Sequence, residues 1–172
     1  AAQQLGRIDH LVLAASSDAA WGPFMQVSAA ALRAALEGKL IGYWRSLQAF
    51  QPILRRDGSV LMLSGAASRH AIPGTAGLAA VNGAITQMAQ TLAKEWAPLR
   101  VNVISPGLVD TPAYDGMPAE AKRGLFEATA QRLPVGRTGT SHDIAAAAEM
   151  LLDNGFATGV LLDIDGGARL GA

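Results

Sequence analysis

Three short runs are apolar at every position: 11–15 (LVLAA), 60–63 (VLML) and 160–162 (VLL). A strand with one wet face alternates apolar and polar residues. Unbroken apolar runs instead belong to strands covered on both faces, the habit of parallel sheets joined by helical crossovers. The chain between them supplies the crossovers. The segment 28–54 carries apolar residues at helical spacing and predicts an amphipathic helix. In 74–107 (GTAGLAAVNGAITQMAQTLAKEWAPLRVNVISPG), Leu78, Val81, Ile85, Met88, Leu92 and Trp96 recur every three or four residues, predicting a helix over 75–97. Its first two turns are bare, with Asn82 the one polar side chain on that side. A strand over 100–105 comes next and ends at Pro106-Gly107. Further strands are expected over 8–16, 58–65 and 159–167. A short helix is expected over 117–131, and another over 141–154 capped by Ser141.

Strand and helix in alternation predict an α/β fold, a Rossmann-like doubly wound parallel sheet. Right-handed crossovers put the helices 28–54 and 75–97 on one face and leave mainly 141–154 for the other. One face is then thinly covered, and the strand at 8–15 has an unpaired edge, a feature proteins usually remove. Either a partner supplies the cover or part of the parent fold lies outside this sequence.

The remaining composition narrows the function. With 172 residues, 50% hydrophobic and 16% charged, the chain suits one compact domain over 1–172 and excludes disorder. Lys plus Arg equals Asp plus Glu at 14 each, and no basic face points to nucleic acid. The lack of cysteine excludes disulfides and thiolate metal sites and is compatible with a reducing compartment. No apolar run approaches the ~20 residues of a membrane span, and the opening AAQQLGRIDH is not a signal peptide. A cytoplasmic location is the expectation. The initial Ala fits initiator removal or a start inside a longer polypeptide. His10, His70 and His142 lie far apart without metal-ligand spacing, so no metal is expected.

The order of these segments resembles the short-chain dehydrogenase/reductase family over essentially the whole chain. GRIDHLV (6–12) resembles the entry to the family's fourth strand, and GSVLMLSG (58–65) its serine-bearing strand. LAKEWAPLRVNVISPGLVDTP (92–112) is the most specific piece, with the family's residues and spacing. RTGTSHDIA and ATGVLLDIDGG resemble its end. The resemblance implies an oxidoreductase using NAD or NADP on a small carbonyl or alcohol, and a homo-oligomer assembled through helices 28–54 and 75–97. It also implies that this chain corresponds to the later two-thirds of the fold. No glycine-rich phosphate turn stands here at a strand-to-helix junction.

Carbonyl reduction needs a proton donor, for which the family uses a tyrosine with a lysine four residues later on one helix face. The alignment implied by TLAKEWAP puts Leu78 at the tyrosine and Asn82 at the lysine. The family's serine falls at Gly65, with Ser64 beside it but on the opposite side of a regular strand. Its helix asparagine falls at Lys39 in GKLIG, and its N-N-A-G turn at Leu13, Ala14, Ala15 and Ser16. On this correspondence the orthodox catalytic groups are replaced and no catalytic residue is assigned. What survives is the nicotinamide corner: Pro106, Gly107, the backbone at Val109 and the hydroxyl of Thr111. The alternative is that Pro106-Gly107 only ends a strand and Thr111 caps the next turn. A non-catalytic binding or assembly protein of the same fold is the competing expectation.

Other residues carry two readings each. Arg69 and His70 come after the second strand near the would-be site, or are solvated loop residues. Tyr114 lines a substrate pocket or is an ordinary loop aromatic. Lys39 is a displaced cationic catalyst or a solvated helix lysine. Trp44, Phe50 and Trp96 have helical spacing and suit core or interface packing.

Overall fold

The computed structural model describes residues 2–17 and 19–170. Its helices are α1 (Ala2–Leu5), α2 (Ala29–Ala35), α3 (Gly42–Phe50), α4 (Ala76–Glu95), α5 (Ala119–Ala130) and α6 (Ser141–Asp153). Its strands are β1 (Ile8–Leu13), β2 (Leu54–Leu63), β3 (Arg100–Pro106), β4 (Val109–Asp110), β5 (Gly139–Thr140) and β6 (Leu161–Ile164). Four of them form a parallel sheet in the order β1-β2-β3-β6, and β4 and β5 form a separate two-stranded parallel ladder.

Of the three apolar runs, 60–63 at the centre of the sheet is covered on both faces, 160–162 is half-buried, and 11–15 at the sheet edge is covered mainly on one face. On β2, Val60 and Met62 pack with Tyr43, Leu47, Val81 and Ile85 beneath α3 and α4, while Leu61 turns to the opposite face. On β3, Val101 and Val103 join the first cluster, and Ile104 packs with Ala147 and Leu151 of α6. Each such side chain contributes about 1.5–3 kcal/mol by leaving water. Cover on the α6 side is thin, as expected. β1 is a sheet edge among the described residues, and Val12, between the inward Leu11 and Leu13, is 46% exposed.

Several boundaries differ from the sequence expectation. The helix expected over 28–54 is α2 and α3 joined by a π-helical turn, Leu36–Ile41, in which the Gly42 N–H donates to Glu37 O five residues back. Its last residues form a short 3-10 turn around Pro52, whose ring cannot continue an α-helix, so β2 starts at Leu54. β1 stops at Leu13, short of 16. The cap of α6 is Thr140, not Ser141. The Thr140 hydroxyl accepts from Asp143 N, and the Asp143 carboxylate accepts from Thr140 N, a capping box.

The segment RVN has a structural task. Buried Arg100 donates through one guanidinium nitrogen to the carbonyls of Leu151, Asn154 and Ala157 and through the other to Leu152, closing the C-terminus of α6. Asn102 donates to Ala157 O and accepts from Val160 N, which sets the lead-in to β6. No described helix is long and apolar enough to cross a membrane.

Candidate functional site

Open parallel sheets bind ligands beyond the carboxyl ends of their strands. Here the ends of β2 and β3 bring together residues that the sequence scatters. Ser64 N donates to Ile104 O at 2.8 Å, so the end of β2 lies one strand from the Pro106-Gly107 turn.

Lys39 is not a solvated lysine. It is 5% exposed, and its Nζ donates to Ser64 O and to Asn82 Oδ1, each at 2.8 Å. The π turn sets its direction, because one extra residue per turn rotates the following side chains relative to a regular helix. Burial lowers its pKa from 10.5 to about 8. No carboxylate among the described residues lies within ion-pair reach. Leu32, Leu36, Lys39, Tyr43 and Leu47 have helical spacing, and that spacing was the available signal that Lys39 faces inward.

Asn82 and Gly65 are matched to each other. A Cβ at Gly65 would lie 2.8 Å from Asn82 Nδ2, so the asparagine amide occupies the space a side chain there would need. Ser64 points at α4, donating to Asn82 O and sharing hydrogen bonds with Ser68 Oγ and Thr86 Oγ1. Both residues therefore abut Asn82, and the Ser64 hydroxyl is held against the helix backbone. Leu78 is half-buried against the core beneath α4. The Tyr43 hydroxyl lies within hydrogen-bond distance of Ala15 O and Leu63 O, and burial raises its pKa. The segment after β1 then crosses the start of α4, with Gly22 N donating to Gly74 O. A Cβ on Gly77 would strike Ala20 Cβ at 2.6 Å. Glycine is what lets the two segments touch.

The Pro106–Thr111 corner connects the end of β3 to β4, with Val109 buried between half-buried Leu108 and exposed Asp110. Gly107 N donates to Ile164 O, and a Cβ there would strike Asp165 Cα at 2.7 Å. Gly139 N donates to Leu108 O, on the residue before Val109. Alternation along the strand therefore turns the N–H and C=O of Val109 away from β5. Thr111 precedes a 3-10 turn at Pro112–Tyr114 without capping it through its side chain.

Arg69 and His70 reach across to the end of β6. Arg69 lies 3.5 Å from Asp163, Arg169 lies 3.1 Å from the same carboxylate, and His70 Nε2 lies 3.4 Å from Asp165 Oδ2. Sequence reasoning missed these two aspartates, since nothing in DIDGG announces partners some ninety residues earlier. His70 Nε2, Ser105 Oγ and Asp163 Oδ1 are buried without a hydrogen-bond partner among the described residues. Tyr114 packs edge-on against Phe126 of α5 at 5.3 Å between ring centroids. Phe50 is half-buried, Trp96 packs against the main core, and Trp44 is 52% exposed. His10 pairs with Ser59 on the sheet, far in sequence from the other histidines. No group of three potential metal ligands occurs among the described residues.

The family profile described as enoyl-(acyl carrier protein) reductase matches residues 1–169. The chain belongs to the short-chain dehydrogenase/reductase family. L-fucose dehydrogenase of Oryctolagus cuniculus is 33% identical, over 98% of this chain and 62% of that protein. The 3-oxoacyl-[acyl-carrier-protein] reductase FabG of Thermotoga maritima is 32% identical, over 67% of this chain and 47% of its own length. A crystal structure of a small-chain dehydrogenase in complex with NADPH superposes with a TM-score of 0.95 at 38% identity, covering 98% of this chain and 77% of that one. The chain thus spans less than two-thirds of the length of each of these two curated relatives.

Proposed function

We propose that this short-chain dehydrogenase/reductase chain serves an NAD(P)-dependent oxidoreductase acting on a small carbonyl or alcohol, without a tyrosine–lysine pair at positions 78 and 82. One observation carries the reading. At the Pro106–Thr111 corner, the outward N–H and C=O of Val109 offer a paired donor and acceptor, the complement of a primary carboxamide. The Thr111 hydroxyl, uncommitted to any cap, stands two residues further on. Pro106, Gly107, Val109 and Thr111 would hold the nicotinamide end, and Gly107 keeps the corner close to β6. When bound, the cofactor supplies or accepts the hydride. This chain's part is to orient the carbonyl and handle the proton. Leu78 has no proton to give, and the Ser64 hydroxyl is tied to α4.

Support for a homo-oligomer is the exposed Trp44 on α3 together with the polar outer side of α4, where Gln87, Gln90 and Lys94 line a shallow hollow. Equilibrium sedimentation tests it, and Trp44→Lys is expected to shift the assembly toward monomer. A cytoplasmic location completes the reading.

The deciding experiment titrates the full-length protein into NADH and NADPH, monitoring nicotinamide fluorescence, then offers a panel of carbonyl substrates. Thr111→Val is expected to weaken cofactor binding by about tenfold, the loss of one hydrogen bond. Failure to bind either nucleotide overturns the reading. Binding without turnover of any carbonyl assigns the chain to the non-catalytic role instead.

A further inference from the structure

We propose that Lys39 is the proton-exchanging residue of this site, acting on the substrate oxygen through one water held by its third N–H. The inference rests on the oxidoreductase reading above.

Four observations converge on it. Lys39 lies at the carboxyl ends of the strands, where its amine touches the end of β2 and the second turn of α4. Two of its three protons go to neutral acceptors, Ser64 O and Asn82 Oδ1, leaving one donor position. Its burial excludes direct contact with a bulky substrate in this arrangement, so its remaining proton reaches the substrate through a water. Its charge is uncompensated among the described residues. Glu37 pairs with Arg45 on the exposed side of the same helix, and the Tyr43 hydroxyl is engaged with backbone carbonyls. Arg69 and His70 turn to Asp163 and Asp165, and α4 carries no charged side chain before Lys94. A neutral donor would serve as a structural tie at lower desolvation cost, so an isolated buried amine beside a candidate site marks a group kept for its proton. The π turn that aims it is of a kind frequent at functional sites.

In the direction of reduction, a hydride from a reduced nicotinamide reaches the carbonyl carbon and the C=O pair moves to oxygen. The bridging water donates a proton to that oxygen. The water recovers one from the Lys39 ammonium, whose N–H bond breaks to leave a neutral amine and the product alcohol. The amine is reprotonated from solvent. Oxidation runs the same transfers in reverse, with the neutral amine as base.

The test uses the full-length protein labelled with [ε-13C]lysine. Within this chain only Lys39, Lys94 and Lys122 give signals, and Lys39→Met assigns one of them without any cofactor. The Lys39 resonance is expected to titrate with a midpoint near pH 8. The pH–rate profile with cofactor is expected to show a limb at that midpoint. Lys39→Met is expected to lower kcat by about 10²–10⁴-fold with cofactor affinity unchanged. Asn82→Asp places a carboxylate against the amine and is expected to raise the NMR midpoint and the kinetic limb together. Should Asn82→Asp not fold, Lys39→Arg, which keeps charge but does not titrate here, is expected to abolish the limb. Undiminished turnover in Lys39→Met overturns the proposal, as does a limb that stays put while the NMR midpoint moves. Loss of cofactor binding in the wild type instead overturns the oxidoreductase reading itself.

Discussion

Lys39 makes stability depend on pH in a direction opposite to that of a paired lysine. Its folded pKa of about 8 lies below the 10.5 of an unfolded chain. Between those values the unfolded state holds more protons, so stability rises with pH across that window. Below pH 8 both states are protonated and the residue adds no slope. The cost of the buried charge is then fully present. At about 1.4 kcal/mol for each pH unit of the window, the rise amounts to about 3 kcal/mol by pH 10.5. Lys39→Met has similar length and no charge. Below pH 8 it recovers this cost but leaves Ser64 O and Asn82 Oδ1 without their donor, at about 1–3 kcal/mol. The two effects offset, so the variant is expected to match the wild type within about 1–2 kcal/mol at neutral pH. It is expected to be clearly less stable than the wild type by about pH 10. Urea unfolding of both proteins across the window reads the difference curve, in which other titrating groups cancel. A difference that stays flat from neutral to alkaline pH would show that Lys39 holds its charge at an ordinary pKa, and the burial argument would fail.

The packing sets three further outcomes. Gly65→Ala needs no unusual backbone, since φ is 170°, but its Cβ would meet Asn82 Nδ2. It is expected to cost about 1–3 kcal/mol alone and markedly less in an Asn82→Ala background, measured by a double-mutant cycle. Arg100→Met leaves the carbonyls of Leu151 and Leu152 at the end of α6 without their side-chain donor and is expected to cost about 1–3 kcal/mol for each, read by urea unfolding. Thr140→Ala removes one half of the α6 capping box and is expected to cost about 1 kcal/mol by the same assay, whereas Ser141→Ala changes little.

The sheet was legible because parallel strands read as unbroken apolar runs; VLML owes its run to burial on two faces, whereas LVLAA keeps the pattern at an edge where Val12 is exposed. The thin cover over Val12 could be anticipated from crossover handedness alone. The break in the 28–54 helix was not legible. Its π turn adds one residue without disturbing the apolar spacing, so the same stripe reads as continuous. The cap of α6 was misplaced by one residue because Thr140 and Ser141 are both good caps, and only the reciprocal bond to Asp143 chooses between them. At the site, resemblance assigned positions 39 and 82 but said nothing of their contact, which depends on a turn between α2 and α3 and on a glycine at 65. The Arg69–Asp163 and His70–Asp165 contacts join a loop to a strand far along the chain and leave no local signature.

The contact between positions 39 and 82 invites an exchange. Wild type has an amine on the π turn and an amide on α4, 2.8 Å apart. Asn82→Lys alone sets two amines against each other in a buried space and is expected to cost about 3–5 kcal/mol. Lys39→Asn alone leaves Ser64 O unpaired and is expected to cost about 1–3 kcal/mol. The double variant rebuilds one amine–amide bond with its sense reversed. It is expected to be more stable than the sum of the single losses by about 2 kcal/mol, a coupling that a cycle of four urea titrations measures. In that background the amine stands on α4, one turn beyond Leu78 and on the same face. Adding Leu78→Tyr then places a phenol beside a cation, which should lower the phenol's pKa relative to Leu78→Tyr in the wild-type background. Ultraviolet difference titration of the new tyrosine reads that change directly. Additive single losses would mean that the two residues sit side by side without sharing a proton-bearing bond. An unshifted phenol in the exchanged background would mean that the amine at position 82 does not reach the face occupied by position 78.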